Sequence, residues 1–442
     1  MVRKRSWIMG GLLVLAAAAV QLFSSHAEAL RSAEPTRTYH VGPTRTYKRI
    51  AEVVDRVRPG DTVLIDSGTY HEAIKWRGGD AKGLPITVKG IGSSRPVIDG
   101  TGVDVSAQGA APRALFQVEG DNYIFENLAF QNARNGNNGA GLRVVRARQT
   151  VLRYLKITHC DMGMMSGEND ELLIEYCEFA FTGTPDFNGS SHNFYLGGDR
   201  TTIRFCYIHD STNGQNFKSR GHYTELLYNY IVDAHDGVEG GETTKEIGFP
   251  DSKDSSAPNS NAVLIGNLII KRGNSPQFID FGPESGGERD GTLYMINNSV
   301  VAASPNTCFI RLSSPRVKAV LYNNIFYGSR LLLTGAGASN VSGANNWLPI
   351  GATVSPTLAD TIQTADPGFL DPITRDFRLR RGSPCIDRGI KVMRYVDGRG
   401  EVVVVKPTRE YVKHLKDVAR PDDGRLDLGA YEFRSSPGRE TE

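Results

Sequence analysis

The residues best suited to chemistry crowd into one stretch, Gly214-Gln215-Asn216-Phe217-Lys218-Ser219-Arg220-Gly221-His222. A neighbouring positive charge disfavours an ammonium ion, so Arg220 pushes Lys218 toward the neutral amine that can take a proton. Lys218 is therefore a candidate base, and Arg220 a candidate cation for neutralising an adjacent anion. His192-Asn193-Phe194-Tyr195 precedes this stretch, and His235-Asp236-Gly237-Val238-Glu239 follows it. Tyr195 or a nearby His can donate a proton to a departing oxygen. Base, cation and acid together can remove a proton beside a carboxylate and expel a group from the next carbon. The plainer alternative is a solvated Lys and Arg on a sheet edge.

These residues fall in a ladder of similar words: Leu142-Arg143-Val144, Phe194-Tyr195-Leu196, Phe217-Lys218-Ser219, Ile279-Asp280-Phe281 and Ile310-Arg311-Leu312. Period-two alternation turns the mostly apolar flanking residues inward and sends Arg143, Tyr195, Lys218, Asp280 and Arg311 outward on one sheet face. A second column recurs, in most coils 11 or 12 residues further on, at Asn127, Leu155, Cys177, Cys206, Asn229, Asn267, Asn298 and Asn323, with intervals of 22 to 38 residues. Such a period, in short β-branched and aromatic words, indicates stacked coils of strands that bury their apolar faces on one another. Neither a propeller blade, at about 40 residues or more, nor a sandwich explains the Asn column. Stacked coils lie about 4.8 Å apart, close to the rise of one sugar in an extended chain. Lys218, Arg220 and Tyr195 are thus the expected catalytic groups. Arg143, His192, His222, His235, Glu239, Asp280 and Arg311 are the expected substrate contacts.

The chain has 442 residues, with Lys+Arg 51 against Asp+Glu 49 and a formal charge of +2. That balance argues against a nucleic-acid partner. Hydrophobic content of 39% excludes a disordered chain, and 48 Gly favour a turn-rich β protein. Five Cys, an odd number, exclude a complete internal disulfide framework. Cys177 and Cys206 share a column, which permits a bridge, although a buried reduced pair is the commoner arrangement. Arg3-Lys4-Arg5, the apolar run Trp7 to Phe23 and Ala27-Glu28-Ala29 read as a secretory signal peptide cleaved after Ala29. The expected product is a secreted or periplasmic monomer with no membrane attachment after cleavage. The expected divisions are signal 1–29, N-terminal cap and first coils 30–100, coil core 101–350, and C-terminal closing segment and tail 351–442.

The repeat resembles the right-handed parallel β-helix superfamily, the pectate-lyase-like fold. The resemblance covers nearly the whole chain after the signal. A helix-like stretch with Ile50, Val53, Val54 and Val57 on one face, then Arg58-Pro59-Gly60-Asp61-Thr62-Val63, looks like the N-terminal cap and first coil. Gly382-Ser383-Pro384-Cys385-Ile386-Asp387 and Leu426-Asp427-Leu428-Gly429-Ala430-Tyr431-Glu432 look like its closing segment. The expected fold is an all-β, single-stranded right-handed parallel β-helix with a short capping helix and an irregular C-terminal closing segment. The fold hosts several activities; with the Lys218 face it implies an acidic polysaccharide as partner and a lyase cleaving a uronate polymer by β-elimination. Lys218-Ser219 is similar to the word carrying the base Lys in lyases of the chondroitinase B and alginate lyase type. Their paired Arg lies further along the chain, which leaves Arg220 a candidate only.

No cofactor is called for, and no zinc spacing occurs. The acidic residues of segment 233–260, read as an inter-coil loop overhanging the same face, offer a place for Ca²⁺ of the kind pectate lyases use. A glycoside hydrolase using Asp236, Glu239 and Asp280, a uronate C5-epimerase, and a non-catalytic polysaccharide-binding β-helix are the alternatives.

Overall fold

The computed structural model describes residues 36–184, 190–212, 214–233, 243–273, 275–284 and 286–435. The expected signal segment, His235, Asp236 and Glu239 lie outside these. Among the described residues, no helix is long and apolar enough to cross a membrane.

Three parallel sheets form the body. The first has 13 strands, from Thr38–Val41 to Leu358–Ala359; the second has 12, from Thr69–Tyr70 to Ile362–Thr364; the third has 10, from Ile74–Trp76 to Leu333–Thr334. Each of the ten full coils contributes one strand to each sheet, as in Thr150–Arg153, Lys156–Thr158 and Met162–Gly167. The chain is thus a right-handed parallel β-helix, and every strand but those at the ends of the sheets pairs with its equivalent in the coils above and below. Trp76, Phe116, Phe125 and Phe130 fill the interior of the early coils with edge-to-face and tilted contacts.

The repeating word is a two-residue corner between the first and second sheets. Its first residue is left-handed, with φ between 52° and 57° at Asn127, Tyr154, Tyr176, Phe205, Tyr228, Asn297, Asn323 and Asn345. The aromatic members stack outside the coil: Tyr154 on Tyr176 at 5.2 Å, Tyr176 on Phe205 at 5.0 Å and Phe205 on Tyr228 at 5.6 Å. Gly266 takes the same corner because a Cβ there would stand 2.5 Å from the Tyr228 ring. The second corner residue points inward and forms a continuous ladder. Cys177 N–H donates to Cys206 Sγ at 3.4 Å, and Cys206 N–H to Asn229 Oδ1 at 2.9 Å. Side-chain amides then link Asn229, Asn267, Asn298, Asn324 and Asn346 at 2.9–3.0 Å. The column expected at Asn127 and Asn323 therefore shifts by one, to Leu128 and Asn324, because those two Asn occupy the left-handed position. Cys177 and Cys206 are buried free thiols.

The expected capping helix is absent. Ile50–Glu52 is one 3₁₀ turn, and Ile50 and Ala51 donate their N–H groups to Glu72 at 2.9 and 3.0 Å. Ile50, Val53 and Val57 are nonetheless buried, as their spacing required. Glu72 caps this turn, and the β-branched residues disfavour its extension into a regular helix.

After Thr364 the chain forms three antiparallel pairs: Phe369–Asp371 with Asp376–Leu379, Met393–Val396 with Val402–Val405, and Arg409–Val412 with Lys416–Ala419. They turn back along the coils like a strap. Met393 and Tyr395 pack on the outer side of the first sheet, against Tyr223, Val263 and Tyr294. Phe369, Phe377 and Tyr411 pack against Tyr230, Ile270 and Val301 of the second.

Candidate active site

The outer face of the third sheet carries the candidate residues in one column. Backbone register aligns Gln117, Arg143, Met165, Tyr195, Lys218, Gly248, Asp280, Arg311 and Thr334 on successive strands. Inward-facing Phe194 and Phe217, 5.7 Å apart, fix the direction of Tyr195 and Lys218 by alternation. From Arg143 to Arg311 the column rises about 29 Å at about 4.8 Å per strand.

At its centre Tyr195, Lys218 and Arg220 meet. Arg220 Nε donates to the Tyr195 hydroxyl at 2.9 Å. Lys218 Nζ and Arg220 Cζ lie 5.7 and 5.8 Å from the Tyr195 ring centroid. Both cations reach Glu284, Lys218 at 2.7 Å and Arg220 at 3.2 Å, and Lys245 joins them at 3.4 Å. Three cations thus converge on one carboxylate, carried on the turn after strand Gln277–Phe281. Burial lowers the pKa of Lys218, which is 8% exposed; Arg220 and Lys245 push the same way and Glu284 opposes them. Burial alone would raise the Glu284 carboxyl, but Lys218, Lys245 and Arg220 hold it below its ordinary range.

His192 stacks on Tyr195 with ring centroids 5.6 Å apart. Its Nδ1 accepts the Gln215 N–H at 3.0 Å, which assigns the remaining proton to Nε2. Burial, then Lys218, Arg220 and Lys245, push its pKa well down, so it is a neutral donor. Asp280 is held by Lys245 at 2.7 Å and Arg311 at 3.3 Å. Arg143, three strands from Lys218, bonds Met165 Sδ at 3.6 Å. His222 belongs to the turn beyond the strand, where Asp199 at 2.9 Å and the Pro258 carbonyl at 3.0 Å occupy its two nitrogens.

Segment 233–260 is not a simple inter-coil loop, since Lys245–Phe249 within it is a strand of the third sheet. Its described carboxylates are engaged elsewhere. Asp251 accepts N–H bonds from Glu284 at 2.7 Å and Gly287 at 2.9 Å, and Asp254 accepts one from Gly198 at 3.1 Å. Glu246 turns inward to Asn216 at 2.7 Å, beside Lys271 at 3.5 Å. These groups do not converge as a calcium cage requires, and no cluster of three or more His, Cys, Asp or Glu among the described residues can hold a metal ion. Asp251 instead shapes the turn that presents Glu284, and Ser252 Oγ donates to the Arg220 carbonyl at 2.6 Å.

The sequence ladder missed Glu284, Lys245, Gly248 and Met165. Two of these were recoverable: Lys218 and Asp280 are two coils apart, so one strand had to lie between them, and the same holds for Arg143 and Tyr195.

No protein-family profile matches the chain, and comparison with curated proteins found none similar in sequence. Solved structures do match in shape. Pectate lyase Pel9A superposes with a TM-score of 0.56 at 16% identity, covering 91% of this chain and 98% of its own. Alginate lyase from Paenibacillus sp. str. FPU-7 gives 0.53 at 18% identity, covering 69% and 99%. The chain therefore shares the right-handed parallel β-helix fold of these two structures.

Proposed function

We propose that the protein is an exported polysaccharide lyase that cleaves a uronate-containing polymer by β-elimination on the third-sheet face. The observation that carries this reading is the convergence of Lys218, Arg220 and Lys245 on the Glu284 carboxylate. Such a cluster binds a carboxylate, and a uronate brings one. In this reading the sugar's carboxylate displaces Glu284 and is neutralised by Arg220 and Lys245. Lys218, freed from Glu284 and biased by burial toward the amine, takes the proton from the carbon beside the carboxylate. The electron pair forms the ring double bond, and the neighbouring carbon–oxygen bond breaks. The Tyr195 hydroxyl, or His192 Nε2–H beside it, gives its proton to the leaving oxygen. Arg143 and Arg311 would hold sugars further along the column. Neutralisation rests on the chain's own cations, so no step is routed through calcium. Hydrolysis needs two carboxylates free to face one sugar; among the described residues of this face, Asp280 and Glu284 are both held by lysines.

Incubation with pectate, alginate and other uronate polymers tests this by the ultraviolet absorbance of the unsaturated uronate end. Lys218→Ala is expected to reduce the rate by at least about 100-fold, within the range for loss of a general base, with the fold intact. New reducing ends without that absorbance would point to hydrolysis, and epimerised polymer to the epimerase. Full activity in Lys218→Ala would remove the assignment.

A further inference from the structure

Arg289 is 1% exposed, and it lies on the segment that follows strand Gln277–Phe281 and carries Glu284. Its guanidinium packs over two inward-facing rings, with Cζ 4.6 Å from the Phe281 centroid and 5.7 Å from that of Phe249. Burial pushes its pKa down to about 9, with Asp251 opposing the fall and Arg220 adding to it. Keeping a cation there is costly, and an apolar side chain would pack on the same rings without that cost. What the cation supplies is a planar fork that reaches two acceptors at once. Nη1 donates to the Pro250 carbonyl at 3.0 Å and Nη2 to the Ser260 carbonyl at 3.2 Å. Those carbonyls stand near the two ends of the loop between strands Lys245–Phe249 and Ala262–Ile265.

This loop is also what holds Arg220. The Asp251 carbonyl accepts a bond from Arg220 Nη1, and Ser252 Oγ donates to the Arg220 carbonyl at 2.6 Å. Side chain and backbone of Arg220 are thus both gripped by the residues next to Pro250. Between the loop and the Glu284 segment run further bonds. The Asp251 carboxylate accepts the N–H groups of Glu284 and Gly287, and the Ser255 carbonyl accepts that of Asp290 at 3.0 Å. Gly287 permits this approach, since a Cβ there would stand 2.3 Å from Asp251 Oδ2. We propose that Arg289 is a positioning residue: by tying both ends of loop 250–260 to the segment carrying Glu284, it sets Arg220 where the substrate carboxylate is neutralised. The proposal rests on the reading of the Lys218 face as a uronate site. A misplacement of about 1 Å at a reacting centre can cost about 100-fold, so a brace two contacts away has leverage on the rate.

The test reads Arg220 directly. Its Nε–H, donated to the Tyr195 hydroxyl, should exchange slowly with solvent in side-chain NMR spectra of the protein, and Arg289→Met should speed that exchange. The Nε–H of Arg420, bonded to Glu432 at 2.6 Å, should keep its rate, which separates local release from a weaker fold. A mutant cycle with Arg220→Gln gives the second readout. Alone, Arg289→Met is expected to lower kcat/KM by about 10-fold or more. In Arg220→Gln, which lacks the group being placed, it should cost less than about twofold. Arg289→Lys keeps the charge and reaches one carbonyl; it should lie between, and it serves if the Met variant does not fold. Unchanged Arg220 exchange in the folded variants overturns the proposal, as do equal losses of activity in the two backgrounds. If the protein yields no unsaturated product while these variants still release Arg220, the lyase reading fails and the positioning role stands.

Discussion

Glu284 has two effects on the residues around it. Its carboxylate occupies the ground between three cations, and its charge raises the proton affinity of Lys218 against the effect of burial. Glu284→Gln removes the negative charge and keeps the shape. The Lys218 pKa should then fall further, so the acid limb of the kcat/KM profile moves to lower pH. KM should fall by about tenfold, equivalent to about 1.5 kcal/mol for one net charged hydrogen bond no longer displaced. A KM that stays constant or rises, or a limb that moves to higher pH, would contradict this account of Glu284. The other site residues differ in how visible they were before folding. Tyr195, Asp280 and Arg311 could be placed on one column because apolar neighbours on both sides fix their direction, and Lys218 followed from Phe217 and the buried Ser219 beside it. Glu284 could not, since its position depends on Asp251 binding its N–H from the preceding coil's loop. Met165 and Gly248 escaped because neither carries a charge.

At the scale of the element, the corner between the first and second sheets gives each coil its register. A left-handed non-glycine residue costs about 1–2 kcal/mol, and at Phe205 this is offset by stacking between Tyr176 and Tyr228. Phe205→Ala keeps the left-handed cost and loses the stack, whereas Phe205→Gly loses only the stack. Stability to denaturant should therefore fall in the order wild type, Gly, Ala, with about 1 kcal/mol between the variants. An Ala variant as stable as the Gly variant would mean that the corner carries no strain. The corner was legible as a repeating aromatic-or-Asn word, because side-chain amides at a turn leave a mark at every coil. Its register was open to an error of one residue where an Asn takes the left-handed position itself, as at Asn127 and Asn323. At the cap, apolar spacing identified the buried face of 50–57. Glu72 caps the first N–H groups of the single turn, and the β-branched residues at 50, 53, 54 and 57 disfavour its extension into a regular helix.

Over the whole molecule, the coils bury one another and the strap packs on the first and second sheets, while the candidate residues stand on the third. The closing segment was legible as a C-terminal unit, but its return path was not. That path depends on contacts between residues far apart in sequence, such as Tyr176 with Asp417 at 2.9 Å, Asn261 with the Val396 carbonyl at 2.8 Å and Asn297 with the Asp427 carbonyl at 2.8 Å. A stack of repeats held only by nearest neighbours frays from its ends. Here one segment grips coils on either side of the candidate site, which should make them open as a cooperative block, while among the described residues the early coils before Glu171 are held by their neighbours. Amide hydrogen exchange should report a shared slow rate for strands from Glu171 to Tyr327 and progressively faster rates toward Thr62. Equal protection at the amino-terminal end would show that the returning segment adds no cooperativity. With that block, the protein can loosen at one end while the geometry around Lys218 stays fixed.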